Sequence, residues 1–280
     1  MTSLRDVVYG AAVGDALGVP YEFMGRGTFT CSGMASGGAH GKPAGTFSDD
    51  TSMMLASCDS IRECGRVDVD DMRKRFNAWL HGGEYTADGD VFDVGNTVAK
   101  ALSKGRGCSG ERSNGNGSLM RIAPLAYVDA TDAEVRAASA ITHAHEVSMK
   151  ACVELVHALR RLSEGVPIRE AISGTMVGDR TFDSDVEESK IHSGGYVLDT
   201  LEASLWCLAN TDGYAACVLK AVNLGSDSDT TACVAGALAG AAYGYSAIPD
   251  EWLNTLRGKG VIEGCMFENE SIGSDPFNSL

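Results

Sequence analysis

Leu4-Arg5-Asp6-Val7-Val8-Tyr9-Gly10-Ala11-Ala12-Val13-Gly14-Asp15-Ala16-Leu17-Gly18 is the stretch that decides the fold. Its apolar positions Leu4, Val7, Val8, Ala11 and Ala12 follow helical spacing, while Gly10, Gly14 and Gly18 recur every fourth residue along one face. Glycines lower helix propensity, so close packing against that face must compensate. The late run from Thr231 to Tyr245 carries Gly236, Gly240 and Gly244 at the same interval, and these two helices are expected to pack against each other near the centre. Asp15 lies inside the first helix, where a carboxylate is costly unless hydrogen-bonded; this suits a residue that supports a neighbouring site. Elsewhere the helical pattern recurs from end to end. There is no sustained period-two alternation and no hairpin turn between β-branched runs, so the chain reads as all-α.

The 280 residues are 44% hydrophobic and 22% charged, enough to bury a large core. With six prolines and no linker-like segment they read as one domain over residues 1–268, followed by a frayed tail at 269–280. A formal net charge of -15 argues against nucleic acid and anionic membrane surfaces as partners. Nine cysteines occur with no CxxC pair, and Met1-Thr2-Ser3 does not begin a signal peptide; reduced cysteines in a cytoplasmic monomer are expected. The segment from Thr231 to Ile248 is uncharged, but its Ala and Gly content and its position after Asp227 and Asp229 mark a buried helix rather than a membrane span.

Along the chain, Pro20 ends the first helix and places Glu22 in a turn before a mobile, glycine-rich loop reaching Gly45, where a carboxylate could act as a lid. Asp49 begins a helix with Met53, Met54 and Ile61 on its apolar side, and Asp68 caps the next, with Met72, Phe76 and Trp79 inward. Asp93 reads as the cap of a helix from about Thr97 to Leu102, and Asn114-Gly115-Asn116-Gly117-Ser118-Leu119-Met120-Arg121 as a glycine loop entering a helix, its N–H groups able to cradle an anion. Helical character from Ala133 to Leu162 is long enough to predict a break at Ile141-Thr142. His143 and His145 cannot share a helix face; His145, between Ile141 and Met149, reads as packing.

Two acidic clusters stand at helix starts: Ser48-Asp49-Asp50-Thr51 and Asp227-Ser228-Asp229-Thr230. Either alone would be an ordinary N-cap, but a cap needs one oxygen and each cluster offers several. If the fold joins them, four carboxylates converge, and they cannot all stay ionised without a cation. Ser48, Asp49, Asp50, Asp227, Asp229 and Thr230 are then the metal ligands. Oxygen-only donors favour a hard ion, Mg²⁺ or Mn²⁺, and six of them can hold two.

The ordered series Gly14-Asp15-Ala16-Leu17-Gly18 with Glu22, Ser48-Asp49-Asp50-Thr51, Phe92-Asp93-Val94-Gly95, Gly115-Asn116-Gly117-Ser118-Leu119-Met120-Arg121, Thr142-His143 and Asp227-Ser228-Asp229-Thr230 resembles the ADP-ribosylglycohydrolase family, from about residue 4 to residue 256. The resemblance implies a compact single-domain helical bundle of that type, with two divalent cations on the six ligands named above. It implies that Glu22 is the loop glutamate that contacts a metal or swings away, that Asp93 lies near the ribose, that Gly115, Asn116, Gly117 and Ser118 hold the diphosphate and ribose, and that His143 lines the cleft. Ser48 stands where many relatives have threonine, which keeps the hydroxyl.

The implied reaction is hydrolysis of a ribose C1″ glycosidic bond in ADP-ribosylated protein or a small ADP-ribosyl compound. Positive charge develops on the sugar, and neighbouring carboxylates stabilise it. Catalytic work falls to Asp49 or Asp50, orienting water, and to Glu22 or Asp93, exchanging a proton with the leaving group. Two other readings share the same residues: a catalytically silent, metal-dependent ADP-ribose-binding module, and a hydrolase of a small ADP-ribosyl metabolite.

Overall fold

A computed structural model describes residues 1–268; the tail expected to fray at 269–280 lies outside the described residues. Twelve α-helices follow one another among the described residues: α1 (Leu4–Gly18), α2 (Asp49–Cys64), α3 (Val69–Gly82), α4 (Asn96–Lys104), α5 (Asp132–Ala140), α6 (Glu146–Ser163), α7 (Ile168–Ile172), α8 (Val197–Ala209), α9 (Tyr214–Asn223), α10 (Ser228–Tyr243), α11 (Asp250–Thr255) and α12 (Lys259–Cys265). The only strands among these residues are β1 (Met176–Val177) and β2 (Arg180–Thr181), an antiparallel hairpin that the charged segment between Val166 and Ser193 concealed. The all-α reading stands. No described helix is long and apolar enough to cross a membrane.

At the centre α1 and α10 run antiparallel, backbone against backbone. A Cβ on Gly10 would lie 2.3 Å from the Gly236 carbonyl oxygen, one on Gly14 would lie 2.0 Å from that of Ala232, and one on Gly18 would lie 2.3 Å from the Asp229 Cα. The glycine face therefore does what its spacing predicts, with one change: Gly244 ends α10 with φ 79° and makes no close backbone approach, an added Cβ there meeting the Asp6 side chain at 3.6 Å. Both helices are buried nearly all round, as their mostly apolar sequences require. The other helices surround this pair, each burying an apolar stripe; in α3 the stripe is Met72, Phe76 and Trp79.

The long helical run does break, between α5 and α6, and this changes the reading of its histidines. His145 is half-buried and caps α6, its Nδ1 accepting from the Val147 N–H (3.3 Å), rather than packing in an apolar stripe. A ring acceptor at that position satisfies an otherwise orphaned amide. Asp93 does not cap α4, whose N-cap is Gly95. The glycine loop at 114–121 passes into a 3-10 turn at Ala123–Tyr127, with Pro124 near its start, instead of an α-helix.

Candidate functional site

The site is built where α2 and α10 begin. Asp15, fully buried on α1, accepts from the Ser48 N–H (2.9 Å), the Thr51 N–H (3.0 Å) and the Thr51 hydroxyl (2.6 Å). One helix thus caps another. Ser48 completes the cap by accepting from the Asp50 N–H (3.2 Å), so neither the Asp49 nor the Asp50 carboxylate is consumed in satisfying α2.

The two acidic clusters meet, although 180 residues separate the residues that touch. Thr230 Oγ1 donates to Asp50 Oδ2 at 3.3 Å, and Ser48 Oγ donates to the same oxygen at 3.0 Å. Asp227 is held from a third direction: Asn116 Nδ2 donates to its Oδ2 (2.9 Å) and to the Thr200 hydroxyl (2.8 Å). Asp229 Oδ1 accepts from the Thr230 N–H (2.9 Å). Two buried carboxylate oxygens, Asp50 Oδ1 and Asp229 Oδ2, have no hydrogen-bond partner among the described residues.

Oxygens of Asp49, Asp50 and Asp93 come within 4.8 Å of one another. Burial, and then mutual repulsion, holds the Asp49, Asp50 and Asp229 carboxyls well above the usual carboxylate range. Burial pushes Glu22 up to about 9, with Asp93 and Asp227 adding to it, and Asp15 up to about 6 despite its hydrogen bonds. An all-oxygen donor set with two orphaned carboxylate oxygens fits a hard divalent cation.

A cavity of about 430 Å³ opens over this cluster. Glu22, Asp49, Asp93, Asp227 and Thr230 form its acidic wall, and Gly115, Asn116, Gly117 and His143 form the opposite side. Gly117 is required there, since a Cβ would stand 2.8 Å from the His143 ring. His143 lies in the segment between α5 and α6; burial, with Arg121 adding, pushes its imidazole down to about 3, so it is neutral. Ser48, Asp50 and Asp229 lie beneath the wall.

Ser118 departs from expectation. Its side chain turns into the core, accepting from the Ser139 hydroxyl (2.9 Å), because the chain bends sharply after Gly117. Two residues on or beside the cavity carried no sequence signal. Arg112 is the basic side chain on its lining, and His40 bonds Glu22 from a glycine-rich loop. That loop is anchored to the body: Arg26 donates to the Leu224 carbonyl (3.1 Å) and Asn223 donates to that of Cys31 (3.0 Å). Phe23 and Ser226, beside Glu22 and Asp227, both adopt left-handed backbone (φ 67° and 64°), and the Phe23 N–H donates to the Ser226 carbonyl (2.7 Å). Strain of this kind at non-glycine residues is held by its surroundings and concentrates at functional sites.

A second depression of about 440 Å³ lies between α5, α6 and the hairpin; its lining includes the ion pairs Arg136–Glu146 and His157–Asp132.

The family model for ADP-ribosylglycohydrolase matches residues 2–273. An ADP-ribosylarginine hydrolase, Tri1, of Serratia proteamaculans is 34% identical over 272 residues, covering 90% of this chain and 74% of the relative. The ADP-ribosyl-[dinitrogen reductase] glycohydrolase of Rhodospirillum rubrum is 35% identical over 266 residues, covering 88% and 87%. Among solved structures, an ADP-ribosylglycohydrolase-related protein complex superposes with a TM-score of 0.79 at 30% identity, covering 92% of this chain and 93% of the other.

Proposed function

The chain belongs to the ADP-ribosylglycohydrolase family, and from that premise we propose that it cleaves the bond between ribose C1″ and a side-chain nitrogen of ADP-ribosylated arginine in protein, releasing ADP-ribose. The cofactors in this reading are two divalent cations, Mg²⁺ or Mn²⁺, held by Ser48, Asp49, Asp50, Asp227, Asp229 and Thr230. The observation that carries the metal part is the contact of Asp50 with Thr230, beside two buried carboxylate oxygens that have no donor. Support for arginine as the linked residue comes from the relatives named ADP-ribosylarginine hydrolase, at 34% and 32% identity.

Bound cations would supply Lewis acidity and an anchor for sugar hydroxyls. The chain's own residues supply the rest. Asp49 and Asp50 orient the attacking water, and the carboxylates along the wall stabilise the positive charge that develops at C1″. Glu22 and Asp93, both on the cavity, exchange the proton of the leaving nitrogen. Asn116, Gly115 and Gly117 line the side on which the diphosphate and ribose rest, and neutral His143 backs that loop without adding charge. Asn116 has a second task, since it already holds Asp227.

The test is release of ADP-ribose from substrates linked through arginine, serine, a nucleobase or an acetyl ester, each with Mg²⁺, Mn²⁺ or chelator. Metal-dependent release from the arginine linkage is expected. Metal-dependent binding without release on any linkage would refute the hydrolase reading, and undiminished turnover in chelator would refute the metal part. The double variant Asp49→Asn, Asp50→Asn should keep its helical circular dichroism and lose turnover.

A further inference from the structure

Residues 37–42 form a short clasp between two loops of the site. The Gly37 N–H donates to the Lys42 carbonyl (2.8 Å) and the Gly41 N–H to the Gly38 carbonyl (3.3 Å), which closes a tight turn. One side of the turn lies on the chain leading into Glu22: a Cβ at Gly38 would stand 2.3 Å from the Pro20 carbonyl oxygen. The other side is tied to the chain leading into Asp93, because Lys42 Nζ donates to Asp90 (2.7 Å) and lies 4.5 Å from the centre of the Phe92 ring. His40 is carried between the two. Its Nε2 shares a hydrogen bond with Glu22 Oε2 and stands 4.0 Å from Asp93 Oδ1, and its ring centre is 5.0 Å from that of Phe92 and 6.0 Å from that of Phe23.

The geometry points to His40 as the positioning residue of Glu22: it holds one carboxylate oxygen, and with it the spacing between Glu22 and Asp93, so that Glu22 meets the leaving group in the hydrolysis of an ADP-ribosyl linkage. This rests on the proton-transfer role proposed for Glu22. A glutamate on a loop has three rotatable bonds, and nothing in its own turn fixes the carboxylate. The ring of His40, wedged between two aromatic side chains, is rigid enough to do so. Misplacing a reacting group by about 1 Å costs on the order of 100-fold in rate, whereas binding of the nucleotide part, which the glycine loop handles, would be unaffected.

His40→Gln and His40→Leu both fill the space between Phe92 and Phe23, but only glutamine keeps a hydrogen-bonding group near the place of Nε2. The difference between them therefore reads the hydrogen bond rather than the packing. On arginine-linked substrate, His40→Leu is expected to lower kcat by ~10–100-fold with KM changed less than ~2-fold, and His40→Gln to stay within ~3-fold of wild type. In a Glu22→Gln background, His40→Leu should cost nothing further, because its effect runs through Glu22. Equal kcat for the two His40 variants, or losses that multiply in the Glu22→Gln background, would overturn this proposal alone. A wild-type protein that releases no ADP-ribose from any linkage would overturn the hydrolase reading, and this one with it.

Discussion

Gly14→Ala is the substitution that tests the architecture most directly. In an unpacked helix, alanine for glycine gains about 1 kcal/mol. Here the new Cβ would stand 2.0 Å from the Ala232 carbonyl oxygen, against a normal carbon–oxygen contact of about 3.3 Å. The two backbones would have to part by about 1.3 Å, since no side chain is present to swing aside. Overpacking of this kind costs about 1–3 kcal/mol and more when backbone must move. We expect a net loss of about 2 kcal/mol, or roughly 3–4 °C in melting temperature for a chain of this size. Because α10 carries Asp229 and is preceded by Asp227 at its N-cap, while α1 carries Asp15, the same displacement should weaken Mn²⁺ binding measured by calorimetry. Gly82→Ala is the control: no atom lies within 4 Å of its added Cβ, so that variant should melt at or slightly above the wild-type temperature. A Gly14→Ala protein as stable as Gly82→Ala, with wild-type Mn²⁺ affinity, would refute the close-packing argument.

Asp15→Asn would turn an amide toward the amides of Ser48 and Thr51, and should cost about 2–4 kcal/mol in denaturant unfolding, because it orphans buried donors at the start of α2. Asn116→Ala frees Asp227 and should weaken Mn²⁺ binding by ~10–100-fold with little change in melting temperature; unchanged affinity would remove the support role. His143 supplies a pH dependence. Its folded value lies near 3 against an ordinary 6.5, so below about pH 6.5 the unfolded chain takes up a proton that the folded chain refuses, and stability falls with acidity. By pH 5 the loss is about 2 kcal/mol relative to pH 7.5. His143→Gln should abolish that part, so that the wild-type advantage over the variant shrinks by about 2 kcal/mol between the two pH values in urea titrations; a constant difference would contradict it.

What could be read ahead of the structure was whatever repeats with the period of a helix or opens one. The glycine face of α1 and α10 has a spacing, and the hydroxyl–carboxylate clusters at Ser48 and Asp227 sit at helix starts, so both were legible. Contacts between loops have no period. The bond from His40 to Glu22, the reach of Asn116 to Asp227 across 111 positions, and the inward turn of Ser118 depend on where separate loops come to rest. Local propensity also misled where a polar side chain could serve two purposes. His145 fits an apolar stripe on paper, but an exposed helix start nearby has a stronger claim on its ring nitrogen. Asp93 looks like a cap, yet it lies in left-handed backbone (φ 55°) on the cavity wall, while Gly95 starts α4.

Whether the helix-start carboxylates are anything more than caps can be decided by following the amides. At α2 the first N–H groups go to Asp15 and to the Ser48 hydroxyl, so Asp49 and Asp50 are left over. At α10 one oxygen of Asp229 takes the Thr230 N–H, and the Asp227 carboxylate is engaged by Asn116 instead of by its own helix. Four carboxylates are thus gathered together, Asp49, Asp50 and Asp229 buried and Asp227 half-buried, with a single capping bond among them. Burying one unpaired charge already costs several kcal/mol, and mutual repulsion raises the cost of each additional one. Two hydrophobic residues at Asp49 and Asp50 would serve the fold better, since Asp15 and Ser48 would still cap α2. Helix formation therefore does not account for these residues, whereas the cations proposed above would.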